Sequence, residues 1–130
     1  MSAATAPTLA EIEALAERAL TVIPEDLKRH LGPVVIRVMD FPDEETEERM
    51  ELESPFDILG LYHGIGLPFK SVSEPQPAID MIFLYRRPIL DYWCETGESL
   101  EAIVRHVLIH EIGHHFGFSD EDMERLEAEG

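Results

Sequence analysis

Three rhythms of hydrophobic and polar positions succeed one another along this chain. Leu9, Ile12, Ala16, Ala19, Leu20 and Ile23 recur at three- and four-residue intervals, which puts them on one stripe of a helix. Thr8 ahead of that run, with Glu11 three residues on, makes a capping box and predicts the helix start. Residues 1–7 before it read as a frayed tail. Pro24 stops the helix and opens a short second one, whose first turn carries Glu25 and Asp26 and which ends by Gly32. Val34–Met39, rich in β-branched residues and bounded by Pro33 and Pro42, reads as a strand. Residues 43–53 are crowded with Asp and Glu and predict a solvated loop or surface helix.

Ile58–His63 reads as a second, short strand with Gly60 inside it, the mark of a bulge or of a close approach by another backbone. Residues 64–78 hold Gly66, Pro68, Pro75 and Pro77 and predict a loop, long enough to border a cleft. Ile79–Tyr85 is mainly apolar on both faces and predicts a central strand, ended by Arg86, Arg87 and Pro88. Asp91–Gly97 then reads as a connection with Trp93 packed in the core. A long helix follows from Glu98 or Ser99 to about Phe116. Leu100, Ile103 and Val107 lead into His110 and His114, while Ile109, Ile112 and Phe116 form a second apolar face. A helix of that kind is buried on two sides. Ser119, with Asp122 three residues later, caps a final acidic helix.

The end of the long helix carries the chemistry. His110 to Asp120 reads H-E-x-x-H-x-x-G-x-x-D. Histidines four apart share one helix face, where two imidazoles can grip one divalent ion, and zinc suits imidazole nitrogen. Glu111, beside the first histidine, can reach a water on that ion without ligating it, which is the zinc-hydrolase order of ligand, base, ligand. Gly117 can adopt φ > 0 and turn the chain, bringing Asp120 back as third ligand with one position left open. Asp120 has an alternative reading as a first-turn acid of the next helix.

The run HEIGHHFGFSDEDME from His110 to Glu124 resembles the zincin metallopeptidases, with its glycine and third ligand on the metzincin side. From Leu9 onward the chain is similar to the small bacterial zincin-like family called minimal zincins. The resemblance implies an α+β fold: a small mixed β-sheet packed on N-terminal helices and a C-terminal active-site helix. It implies one zinc ion on His110, His114 and Asp120, with Glu111 as general base, in a peptidase. It also makes residues 58–64 the edge strand on which an extended peptide substrate pairs by β-strand addition. One departure stands out. Larger metzincins carry a methionine-containing turn beneath the metal, whereas here ten residues follow Asp120 and Met123 falls in a predicted helix.

The other histidines have lesser roles. His106, one turn before His110, could replace His114 as ligand only if the glycine and aspartate spacing lost its meaning, so it is expected to support or pack. His115 is expected to pack or meet solvent. Tyr62 or His63 on the edge strand are candidates for stabilising an oxyanion. His30 carries no signal.

Length and charge narrow the choice. The 130 residues make one domain, and 45% hydrophobic content is that of a globular protein. Ten Lys and Arg against 27 Asp and Glu leave a net charge of −17, which repels phosphate backbones and anionic lipid. No nucleic-acid or membrane partner is expected. That charge, and Glu111 itself, also argue against a metal-dependent endoribonuclease of H-x3-H-x5-H spacing. Cys94 is the lone cysteine, so no internal disulfide forms. No signal peptide and no apolar span are readable, and a cytoplasmic location is expected. The non-enzymatic alternative is a zinc-binding module that recognises a peptide without cutting it.

Overall fold

In the computed structural model, which describes residues 6–64 and 80–129, Thr8 opens the first helix through the expected capping box. Its hydroxyl accepts from the Glu11 N–H at 3.1 Å, and the Glu11 carboxylate accepts from the Thr8 N–H at 2.8 Å. Helix α1 (Leu9–Thr21) buries Ile12, Ala16 and Ala19, and Pro24 caps the single turn of α2 (Glu25–Lys28). Of the expected tail, residues 1–5 lie outside the described residues. Pro7 does not fray, because Arg86 Nε donates to its carbonyl at 2.6 Å.

Strands β1 (Val34–Met39), β2 (Gly60–His63) and β3 (Asp80–Tyr85) form a three-stranded sheet in the order β1-β3-β2. β3 is central, parallel to β1 and antiparallel to β2, so the sheet is mixed. The register aligns Ile36, Ile82 and Tyr62 in one row and Val38, Leu84 and Gly60 in the next. These rows lie on one face, because side chains of a strand alternate and paired residues share a side. Ile36, Ile82, Tyr62 and Leu84 are all buried there, while Val35 on the opposite face is 42% exposed. The loop expected over 64–78 falls, from residue 65 on, outside the described residues, as does Ile79. The acidic run forms the surface helix α3 (Glu44–Arg49), capped by Asp43.

One expectation is overturned. Arg86–Pro88 do not introduce a connection; they open helix α4 (Arg86–Thr96) directly from the end of β3. Proline is harmless in a first helical turn, where its missing N–H has no partner to lose. Ile89 and Trp93, four apart, then face the core, and Gly97 ends the helix at φ 73°. The pattern was legible, but Pro88 masked it as a breaker.

Helix α5 (Leu100–His115) is capped by Ser99 and buries Ile103, Val104, Val107, Leu108, Ile109, Ile112 and Gly113. It lies against α1 on one side and β2 on the other, as an apolar helix with two faces must. Gly117 at φ 85° ends it. The Phe118 N–H donates to the Gly113 carbonyl at 2.8 Å and the Gly117 N–H to that of His114 at 3.2 Å, the paired bonds of a Schellman turn. Helix α6 (Asp120–Glu129) follows, with the Asp122 N–H donating to Ser119 Oγ at 3.0 Å, and buries Met123 and Leu126. No helix among the described residues is long and apolar enough to cross a membrane.

Gly60 is where β2 meets α5. A Cβ there would lie 2.8 Å from Val107 Cγ1 and 2.9 Å from the Phe83 carbonyl oxygen. The close approach expected of this glycine is therefore to the neighbouring helix and strand at once. Gly60→Ala should destabilise the fold by about 1–3 kcal/mol, because a backbone oxygen cannot yield as a side chain can. Urea unfolding of the two proteins checks this, and an unchanged midpoint would show that β2 can draw back from α5 at no cost.

Candidate metal centre and active site

Histidines at 106, 110 and 114 recur every fourth residue of α5 and so stand in one column along the helix. His106 and His110 have ring centroids 4.1 Å apart, and His110 and His114 lie edge to face at 5.9 Å. All three line a cleft of about 220 Å³, with Val107 and Glu111 on the helix side. Asp57, Ile58, Leu59 and Gly60 form the opposite wall. The cleft thus runs between the histidine column and the outer edge of β2.

Glu111 is largely buried between these walls. Burial pushes its carboxyl above the ordinary carboxylate range; a hydrogen bond from the Tyr62 backbone N–H and the nearby His114 pull it partly back. Tyr85, itself buried, feels the same charge: burial first, then Asp43 and Glu111, push its hydroxyl up to about 12. Glu111 is therefore a desolvated carboxyl tethered to the edge strand, the environment that makes a carboxylate a useful base.

Carboxylates reach the histidine column from α6. Asp120 Oδ1 lies 3.3 Å from His114 Nε2. Asp120 is also the first residue of α6, as its alternative reading had it, and the helix start holds it against the histidine. His110 Nε2, however, is engaged by Glu127 Oε1 at 3.1 Å, and the other oxygen of Glu127 meets His106 Nδ1 at 2.8 Å. Among the described residues, the group of three such side chains whose ligand atoms all fall within 4.8 Å is His106, His110 and Glu127. Of the expected set, His110 and His114 share one column and line the cleft while Asp120 reaches His114 from α6, and two imidazoles and a carboxylate are a donor set that suits zinc. The structure does not bring these three together: His114 meets Asp120, while His110 is turned to Glu127.

Glu127 was missed from the sequence, where it looked like one more acid on an acidic helix. The usable signal was its spacing. It lies seven residues after Asp120, two turns on, so both carboxylates share a stripe of α6. Met123, between them and buried, packs where α6 crosses α5. A Cβ at Gly113 would overlap Met123 Sδ and lie 2.8 Å from its Cγ. The methionine that fell in a helix does lie against the helix of the histidines, without a separate turn.

The remaining candidates pack. Tyr62 is not among the residues lining the cleft: its hydroxyl donates to Asp80 Oδ2 at 2.5 Å and its ring stacks on His115 at 4.0 Å. Burial, followed by the Asp80 contact, raises its pKa. His63 meets the edge of Phe83 at 6.4 Å and does not line the cleft either. His30 stacks on Phe116 at 5.3 Å and braces the end of α5.

The fold and motif have known counterparts. Among solved structures, a conserved hypothetical protein from Thermo thermophilus is 27% identical and superimposes with a TM-score of 0.54, over 95% of this chain and all of that one. No curated protein matches significantly. The family model described as zincin-like metallopeptidase matches residues 31–129, from just before β1 to the end of α6. With the sheet, the histidine helix and the returning acidic helix all inside that match, the chain belongs to the zincin-like metallopeptidase family.

Proposed function

We propose that the protein is a zinc-dependent peptidase that cleaves extended peptide segments in the cleft between β2 and α5. The observation that carries this reading is Glu111. A carboxyl on the wall of a cleft, desolvated and held by a backbone N–H beside two histidines, is placed for proton transfer. His110, His114 and Asp120 are the residues that would hold the ion. When bound, zinc supplies Lewis acidity towards water and towards a peptide carbonyl. Glu111 then takes the proton of the attacking water and hands it to the departing amine.

The edge strand supplies the substrate's track. The Tyr85 N–H donates to the Leu59 carbonyl at 2.9 Å, which turns Leu59 towards β3. Backbone groups alternate along a strand, so those of Gly60 point to the cleft. A substrate strand adding there gains main-chain hydrogen bonds with little sequence preference. A cleft of about 220 Å³ is smaller than a pocket that engulfs a small molecule and suits a short length of backbone. The lone Cys94, exposed and free, fits a reducing compartment, and we place the protein in the cytoplasm. The hold of Glu127 on His110 favours one second reading, a module that binds peptides without cutting them.

Glu111→Gln separates these readings. It should keep its zinc, measured by atomic emission, and lose roughly 10²–10⁴-fold in turnover of a denatured peptide library. Equal turnover by the two proteins would remove Glu111 from the mechanism, and no turnover by the wild type would leave the binding module.

A second outcome concerns stability of the metal-free protein. A carboxyl whose pKa is higher folded than unfolded binds its proton more tightly in the native state. Stability therefore falls as pH rises from the unfolded value through the folded one, and the penalty is complete above the latter. Glu111→Gln removes that charge while keeping an acceptor for the Tyr62 N–H. Its Tm should exceed that of the wild type at neutral pH, and the gap should close in acid. A gap that persisted unchanged below the ordinary carboxylate range would mean that charge burial is not its source.

A further inference from the structure

The two carboxylates of α6 face the histidine column at two heights. Near the end of α5, His114 meets Asp120. One turn back, His106 and His110 share Glu127, with 2.8 Å and 3.1 Å to its separate oxygens. Each height offers the same donors, imidazoles four residues apart on α5 and a carboxylate from α6. The repeat of four on one helix and seven on the other produces this doubling.

We propose that His106, His110 and Glu127 form a second divalent-cation position, one helical turn from the motif position, and that the two compete for His110. Nε2 of His110 has one lone pair and serves one ion at a time. The geometry suits zinc. Ligands at about 2.1 Å in a tetrahedron stand roughly 3.4 Å from one another, so the nitrogen–oxygen pairs at 2.8 Å and 3.1 Å would open slightly, the first by about 0.6 Å, to admit an ion. His110 and Glu127 are partly buried while His106 is exposed, and both histidines line the cleft, which gives an ion a way in and a side for its fourth ligand. An ion held there occupies His110 and leaves His114 and Asp120 incomplete, so the protein can carry metal without being loaded for hydrolysis. The assignment stands on the contacts of Glu127 and does not require the peptidase reading.

The test is zinc stoichiometry on the full chain, stripped with chelator and dialysed against zinc alone. His114→Ala with Asp120→Ala removes the motif position through two exposed side chains and leaves His106, His110 and Glu127 intact. This variant should still bind about one ion, and adding the near-isosteric Glu127→Gln should abolish binding. Circular dichroism melts confirm that each variant is folded. If the double variant binds no zinc while His106→Ala with Glu127→Gln binds it as the wild type does, the second position does not exist and the motif site stands. If the reverse holds, the second position stands and the motif site fails. Two ions bound at once to the wild type would overturn the competition for His110.

Discussion

The contact of Met123 with Gly113 sets the geometry of everything at the cleft. Gly113 sits inside the histidine motif, between Ile112 and His114, and has no side chain to keep α6 away. Met123 fills that gap and is wholly buried. The Schellman turn at Gly117 supplies the reversal, and the Met123 contact supplies the distance. Asp120 and Glu127 lie on the turns before and after Met123, so their reach to the histidines follows from this one packing point. A larger residue at 113 would lift both carboxylates from the column together.

The other side of the cleft depends on a second glycine. Gly60 lets β2 press against Val107, and this brings the Tyr62 N–H to the Glu111 carboxylate. Glu111 is thus held by the strand proposed to receive substrate. Burial raises its pKa, and the Tyr62 N–H that holds it pulls the pKa partly back. A divalent ion in the cleft would add a positive charge and favour the ionised carboxylate, so the metal-free and loaded proteins differ in this respect.

Charge distribution complements that arrangement. The acidic excess of the chain is spread over α3 and α6 and over the surface turns, where solvent screens it. At the cleft it becomes specific: the first turn of α6 carries Asp120 at a helix N-terminus, where a carboxylate is favoured, and Glu127 is drawn to two imidazoles. Acids that would read as solubilising thus become potential ligands through their placement.

Local rules made much of this legible. The capping boxes at Thr8 and Ser119, the strand at Val34–Met39, the two-sided burial of α5 and the turn at Gly117 all follow from interactions within a few residues. The motif from His110 to Asp120 was readable for the same reason, since its spacing is that of a helix and a turn. Helix α4 was lost because a proline reads as a breaker unless its position in the first turn is known. What the sequence could not determine was which nitrogen faces which oxygen. Glu127 is seventeen residues from His110, and its contact exists because α6 folds back over Gly113. The height at which Glu111 meets β2 was equally hidden, being fixed by Gly60 against Val107. Spacing along one element decides which side chains share a face, whereas only the packing of separate elements decides what that face meets.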